Sequence, residues 1–175
     1  ILQLVEADVI DHKILFGSWA GAYGNFQFMP TSIKKYAIDY NKNNKIELKS
    51  IEDSFASAAN YMNKINWKRN EPCFIEVNLS EKIPHSFLNT SAKEILNKKK
   101  LSYFKKYFIN FNEDNIDENL LVGIITPDKD IVEGANNFKP AYIVFNNYEL
   151  ILNWNRSLRF ALAVCTLKEK FKNEL

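Results

Sequence analysis

The stretch from Gly17 to Pro30, GSWAGAYGNFQFMP, gathers side chains able to grip a polar ring. Three of the chain's five glycines fall inside it, among two Phe, a Trp, a Tyr and a Met. Gly17, Gly21 and Gly24 admit positive φ and close backbone approach. Gln27 offers a carbonyl acceptor and an amide donor pair. Pro30 suits the first turn of a helix, where a missing N–H goes unused. Polar groups among flat apolar faces on a glycine-rich loop suit a carbohydrate. The competing reading is a tightly packed connection between two helices.

Other reactive side chains are sparse. His12 and His85 have no Cys or carboxylate partners at metal-ligand spacing. Cys73 and Cys165 are the only cysteines. Two buried free thiols are the default reading, with one disulfide as the alternative in an oxidising compartment. Glu6 sits in ILQLVEADVI, where Ile1, Val5 and Val9 share a helical face, and reads as a solvated helix carboxylate.

The elements that must position these groups follow from pattern. Hydrophobic residues make up 46% and aromatics 14% of 175 residues, ample for a core. A helix is expected from Pro30 to about Ile38. Ser50 and Asp53 form a variant capping box ahead of a helix with Ile51, Phe55, Ala58, Ala59 and Met62 on one stripe. Phe74 opens a short strand, and Ser91 with Glu94 suggests a helix from Ser91 to Lys99. LLVGIIT reads as a buried strand. Tyr142–Phe145 and Glu149–Asn153 read as hairpin strands around Asn146 and Asn147. A final helix begins near Ser157, with apolar residues on more than one face. The basic run Lys98 to Lys100, with Lys105 and Lys106, reads as a solvated helix face rather than a polyanion site. A net charge of +2 is too mild for a nucleic-acid partner. No apolar run is long enough to span a bilayer.

Two blocks carry a family resemblance. GSWAGAYGNFQFMP leads into YAIDYNKNNKIELKSIEDSFASAANYMNKINW, and PAYIVFNNYELILNWNRSLRFALAVCTLKEKF closes the chain. Together they resemble the membrane-bound lytic transglycosylase B family, bacterial enzymes that cleave peptidoglycan. The likeness weakens between about Lys68 and Asp130. It implies an α+β, mainly helical fold: a lysozyme-like transglycosylase body (1–67 and 145–175) with a small inserted α/β lobe (68–144).

The resemblance also implies roles. Ser18 and Gln27 match positions that bond sugar groups, Phe28 an apolar neighbour and Tyr61 a cleft tyrosine. Trp154-Asn155 stands where the family has Tyr-Asn. Phe26 replaces a glycine and Phe160 a tyrosine of the family pattern. The family's catalytic glutamate lies upstream of the segment matched here, so no catalytic residue is assigned and this chain alone is expected to be inactive or nearly so. The implied reaction cuts the bond between N-acetylmuramic acid and N-acetylglucosamine and leaves a 1,6-anhydro end. The alternative is a non-catalytic peptidoglycan-binding module.

In the same family the segment DYNKNNKIELKSIED can form a calcium loop. Asp39, Asn41, Asn43 and Lys45 take its first, third, fifth and seventh positions, and Asp53 its late carboxylate. Asn44 replaces the turn glycine, and two asparagines stand in for aspartates. An Asn-rich polar turn is the competing reading. No cofactor is required, a structural calcium is optional, and the expected partner is the glycan strand of peptidoglycan. The expected location is periplasmic, with membrane attachment only through an N-terminal anchor absent from this chain.

Overall fold

A computed structural model describes residues 2–8, 10–14, 17–112, 115–129 and 131–174. Ile1 and Val9, part of the expected apolar face of the first helix, lie outside them. The chain divides into two units, Ile1–Trp67 and Lys68–Leu175.

The first unit holds α1 (Leu2–Glu6), α2 (Pro30–Tyr36) and α3 (Ile51–Lys64). Pro30 takes the first position of α2, as its missing N–H favours. Ser50 caps α3, its hydroxyl accepting the Asp53 N–H at 3.3 Å. The reciprocal half of the capping box is not made. Instead Asp53 turns inward and its carboxylate accepts the N–H groups of Tyr40 and Glu47 at 2.9 and 2.8 Å.

That turn inverts the helix. Asp53, Ser54, Ser57 and Tyr61 are buried, while Ile51 and Phe55 are 73% and 61% exposed. Of the expected apolar stripe, Ile51, Phe55 and Ala59 therefore lie outward, and Ala58 and Met62 are half-buried. The reason lies in hydrogen bonding: the loops beside α3 present backbone groups that its polar face satisfies. Ser57 Oγ accepts the Ile38 N–H, Asn25 Nδ2 reaches Ser54 Oγ, and Asn60 Nδ2 donates to the Tyr36 carbonyl.

The second unit is built on a sheet. In chain order its elements are β1 (Phe74–Glu76), β2 (Asn78–Leu79), β3 (Leu88–Asn89), β4 (Lys99–Lys100), α4 (Leu101–Phe104), β5 (Phe108–Ile109), β6 (Leu121–Ile125), β7 (Tyr142–Val144), α5 (Asn146–Trp154) and α6 (Leu158–Glu174). The sheet runs β1-β7-β6-β3, with β4 also paired to β6, and β2 pairs separately with β5. β3 and β6 are parallel and the other pairs antiparallel. Val122, Ile124, Ile143 and Phe145 pack with Leu101 and Phe104 in an apolar core.

Four local expectations change. No helix forms over 91–99, because Asn89 captures that segment. Its Oδ1 accepts the Leu96 N–H at 2.8 Å, and its Nδ2 donates to the carbonyls of Phe87, Leu96 and Ile124. Ser91 Oγ accepts the Lys93 N–H, a turn contact rather than a helix cap. Glu149–Asn153 is helix, not strand, since Tyr148, Ile151 and Leu152 bury one face at helical spacing. Asn147 anchors the start of that helix: its Oδ1 accepts the Lys68 N–H and its Nδ2 donates to the carbonyls of Lys68 and Glu71. Finally, Cys73 and Cys165 form a disulfide with Cα atoms 5.9 Å apart, replacing the default of two free thiols. α6 buries Leu158, Ala161 and Cys165 and leaves Leu167 and Phe171 exposed, so one face of it is covered rather than several.

The mixed α+β class expected from sequence is the one observed.

Candidate functional site

The loop of Gly17 to Pro30 is a pair of turns joined by a bridge. Ser18 starts the first: its N–H donates to the Ala22 carbonyl and its Oγ accepts the Ala22 N–H, while Gly21 N–H returns to the Ser18 carbonyl. Tyr23 and Phe28 exchange two backbone hydrogen bonds at 2.9 Å, closing the second turn around Gly24–Gln27. Gly24 has φ +81°, and a Cβ there would meet Leu48. Gln27 also takes positive φ, +51°, and folds its Nε2 onto the Gly24 carbonyl at 2.9 Å. The Asn25 N–H donates to the Leu48 carbonyl, pinning the second turn to the segment ahead of α3. The backbone is thus largely bonded within itself or to its neighbour, and the side chains of Ser18 and Gln27 stay exposed.

Phe28 and Tyr61 lie in the core of the first unit. Their rings meet edge to face at 6.2 Å, and Tyr36 packs against Tyr61 at 4.9 Å. Burial pushes the Tyr61 phenol above its ordinary value, and Tyr36 adds to the rise. Phe26, the departure from the family's glycine, packs edge-on against Phe55 at 5.1 Å. Trp19, to which no role was given from sequence, is 101% exposed at the tip of the first turn. The signal was in its neighbours: Gly21 allows the tight return that pushes residue 19 outward.

Trp154 and Asn155 belong to the second unit. Trp154 is the last residue of α5 and is half-buried, and Asn155 is exposed as its C-cap, with its N–H on the Ile151 carbonyl. The Asn155 carbonyl accepts the Ser157 N–H, and Ser157 Oγ accepts the Phe160 N–H. Tyr148 locks the following turn, its hydroxyl donating to the Leu158 carbonyl at 2.7 Å. Burial drives the Tyr148 phenol far up from its ordinary value.

The segment from Asp39 to Asp53 is a polar loop with inward-turned oxygens. The Asn43 N–H lies 3.2 Å from Asp39 Oδ1 and 3.1 Å from Asn41 Oδ1, so those two oxygens converge. Asp39 Oδ2 accepts the Asn44 N–H, and Asn43 Oδ1 accepts the Lys45 N–H. Asn44 takes φ +68° where the family pattern has glycine. Glu47 and Glu52, within the same segment, are held by the amides of Asn43 and Asn41. Among the described residues no group of three or more His, Cys, Asp or Glu side chains could hold a metal ion. A cation here would therefore depend on amide and carbonyl oxygens alongside Asp39.

Comparison with known proteins gives a consistent result. The family described as Transglycosylase SLT domain matches residues 1–169. Membrane-bound lytic murein transglycosylase B of Escherichia coli K12 is 39% identical over 77 residues, 44% of this chain and 21% of that protein. SltB3 from Pseudomonas aeruginosa, solved in complex with NAG-anhNAM-pentapeptide, superposes with a TM-score of 0.80 at 28% identity, covering 98% of this chain and 44% of SltB3. The Escherichia coli lytic transglycosylase Slt35, solved in complex with calcium, has a TM-score of 0.69 at 24% identity, covering 96% of this chain and 49% of Slt35. At that identity Slt35 shows the fold alone. The chain spans less than half the length of each of these relatives.

Proposed function

The chain belongs to the Transglycosylase SLT domain family, and from that premise we propose that it supplies the glycan-holding part of a periplasmic peptidoglycan lytic transglycosylase. The observation that carries the reading is the loop Gly17–Pro30. Its backbone hydrogen bonds are directed inward, and Ser18 and Gln27 are held at the surface ready to meet sugar hydroxyl or acetamido groups. Trp154 offers an apolar indole face, and Asn155 an exposed amide. Phe28 and Tyr61 act from beneath, setting the shape of the loop's floor.

Most glycosidases use two carboxylates flanking the scissile bond. In the reaction proposed here one acid/base suffices, because the muramoyl C6 hydroxyl attacks its own C1. An intramolecular nucleophile needs correct pose more than an activated water. Holding sugar rings still is then the main work of these residues, each set within its own unit.

This chain alone is inactive in our reading. A general acid working at neutral pH needs an enclosed carboxyl. Among the described residues Asp53 is the buried carboxylate, and both its oxygens already accept backbone N–H groups. Glu6 is exposed.

The disulfide fits an oxidising periplasm. No described helix is long and apolar enough to cross a membrane. Calcium at Asp39, Asn41, Asn43, the Lys45 carbonyl and Asp53 would be weakly held, given the few anionic ligands. A calcium titration followed by terbium luminescence tests it: saturable displacement supports the site, and its absence removes calcium from the account.

Co-sedimentation with purified insoluble peptidoglycan tests the main reading. The wild-type chain should be retained, and Gln27→Ala and Asn155→Ala should each be retained less. No retention of the wild type, or equal retention of all three, would reject it.

A further inference from the structure

The second unit contains a groove of about 330 Å³ whose charges are not balanced internally. One wall is α5, where Asn146, Glu149 and Asn153 fall on one helical face. The irregular segment bearing Lys93 and Glu94 and the residue Arg156 complete the lining. Lys98 already neutralises Glu149, its Nζ donating to both carboxylate oxygens at 2.8 and 3.0 Å. Among the described residues the side chains of Lys93 and Arg156 make no ion pair. Two cations and one carboxylate, Glu94, therefore line the groove outside any of these ion pairs, together with two exposed amides.

We infer that this groove binds a short peptide carrying free carboxylates. A planar guanidinium such as Arg156 takes a carboxylate through two parallel N–H bonds, and Lys93 adds a second charge. Asn146 and Asn153 can meet both N–H and C=O of a peptide backbone. Glu94 is placed to accept an amine. The inference rests on the glycan reading above for its source of ligand: the sugars of peptidoglycan bear such peptides. Arg156 directly follows Trp154 and Asn155, so a sugar held at that pair would present its peptide beside the groove.

The test is calorimetric titration of the 175-residue chain with a synthetic stem peptide bearing free carboxylates. The same peptide with every carboxylate amidated and a peptide-free glycan oligomer are titrated in parallel. The free peptide should bind the wild-type chain. Both amidation and the double substitution Lys93→Gln with Arg156→Gln should weaken it by about tenfold, the combined loss of two exposed charge contacts. Circular dichroism shows whether the variant keeps its fold, and both side chains are exposed. Glycan binding without peptide binding, or peptide binding indifferent to amidation and to the double substitution, overturns the groove and leaves the glycan reading standing. Peptide binding that depends on Lys93 and Arg156 without glycan binding supports the groove and rejects the glycan reading.

Discussion

The two units of this chain solve the burial problem in opposite ways. In the second, aliphatic strands and Phe104 fill a conventional apolar core, stitched by the disulfide between Cys73 and Cys165. In the first, α3 turns Asp53, Ser54 and Ser57 inward and Ile51 and Phe55 outward. A buried polar face is stable only if every group is bonded, and here the loops beside α3 supply the partners. What this teaches is that the first unit is organised to fix loops. Ile51 and Phe55 stay on the outside of α3, and the unit's shape rests on hydrogen bonds that cannot be lost singly.

The disulfide gives the largest contrast. Cysteines 92 residues apart close a long loop, so Cys165→Ser should cost the second unit about 4 to 5 kcal/mol by loop entropy. Chemical denaturation followed by probes in each unit should show the second unit weakened and the first unchanged. Next comes a pair of phenylalanines. Phe104→Ala should cost about 4 kcal/mol as a core truncation, whereas Phe55→Ala should cost under about 1 kcal/mol. Thermal melts of the two variants decide it. Equal losses would mean that Phe55 is not on an outer face, and the comparison would break.

Asp53→Ala sharpens the same point from the polar side. It strands the N–H groups of Tyr40 and Glu47, a loss of about 3 kcal/mol. Hydrogen exchange should show those amides opening, with β6 and β7 still protected. The smallest effect is alkaline. Burial raises the Tyr148 phenol in the second unit strongly and the Tyr61 phenol in the first less so. The folded state then holds protons that the unfolded chain releases above its tyrosine value of about 10, so stability is intact below that pH and falls above it. Tyr148→Phe should flatten the fall more than Tyr61→Phe, measured as denaturation midpoints from pH 9 to 11.5.

Sequence revealed the parts whose signals are local. Pro30 marked α2, Ser50 marked α3, and the aliphatic run of β6 was plain from composition alone. It misread places where a side chain reaches across the fold. Asn89 binds backbone groups of Leu96 and Ile124 and so takes the 91–99 segment out of helix. Asn147 ties the start of α5 to Lys68 and Glu71, which turned an expected hairpin into a strand and helix. The apolar period of α3 was read correctly, but its direction was set by partners of Asp53 that no periodicity encodes. At the candidate site, the glycine-rich loop was legible because φ and close approach demand glycine, whereas the full exposure of Trp19 depends on how the turn is aimed.

Digestion of purified peptidoglycan by the 175-residue chain, with mass spectrometry of the soluble products, tests the central claim most directly. The expected result is that the chain is retained on the polymer and releases no 1,6-anhydro-muramoyl fragments beyond a protein-free control. Release of such fragments would contradict it, because a carboxylate of this chain, Glu6 first among those to substitute, would then have to serve as the acid/base.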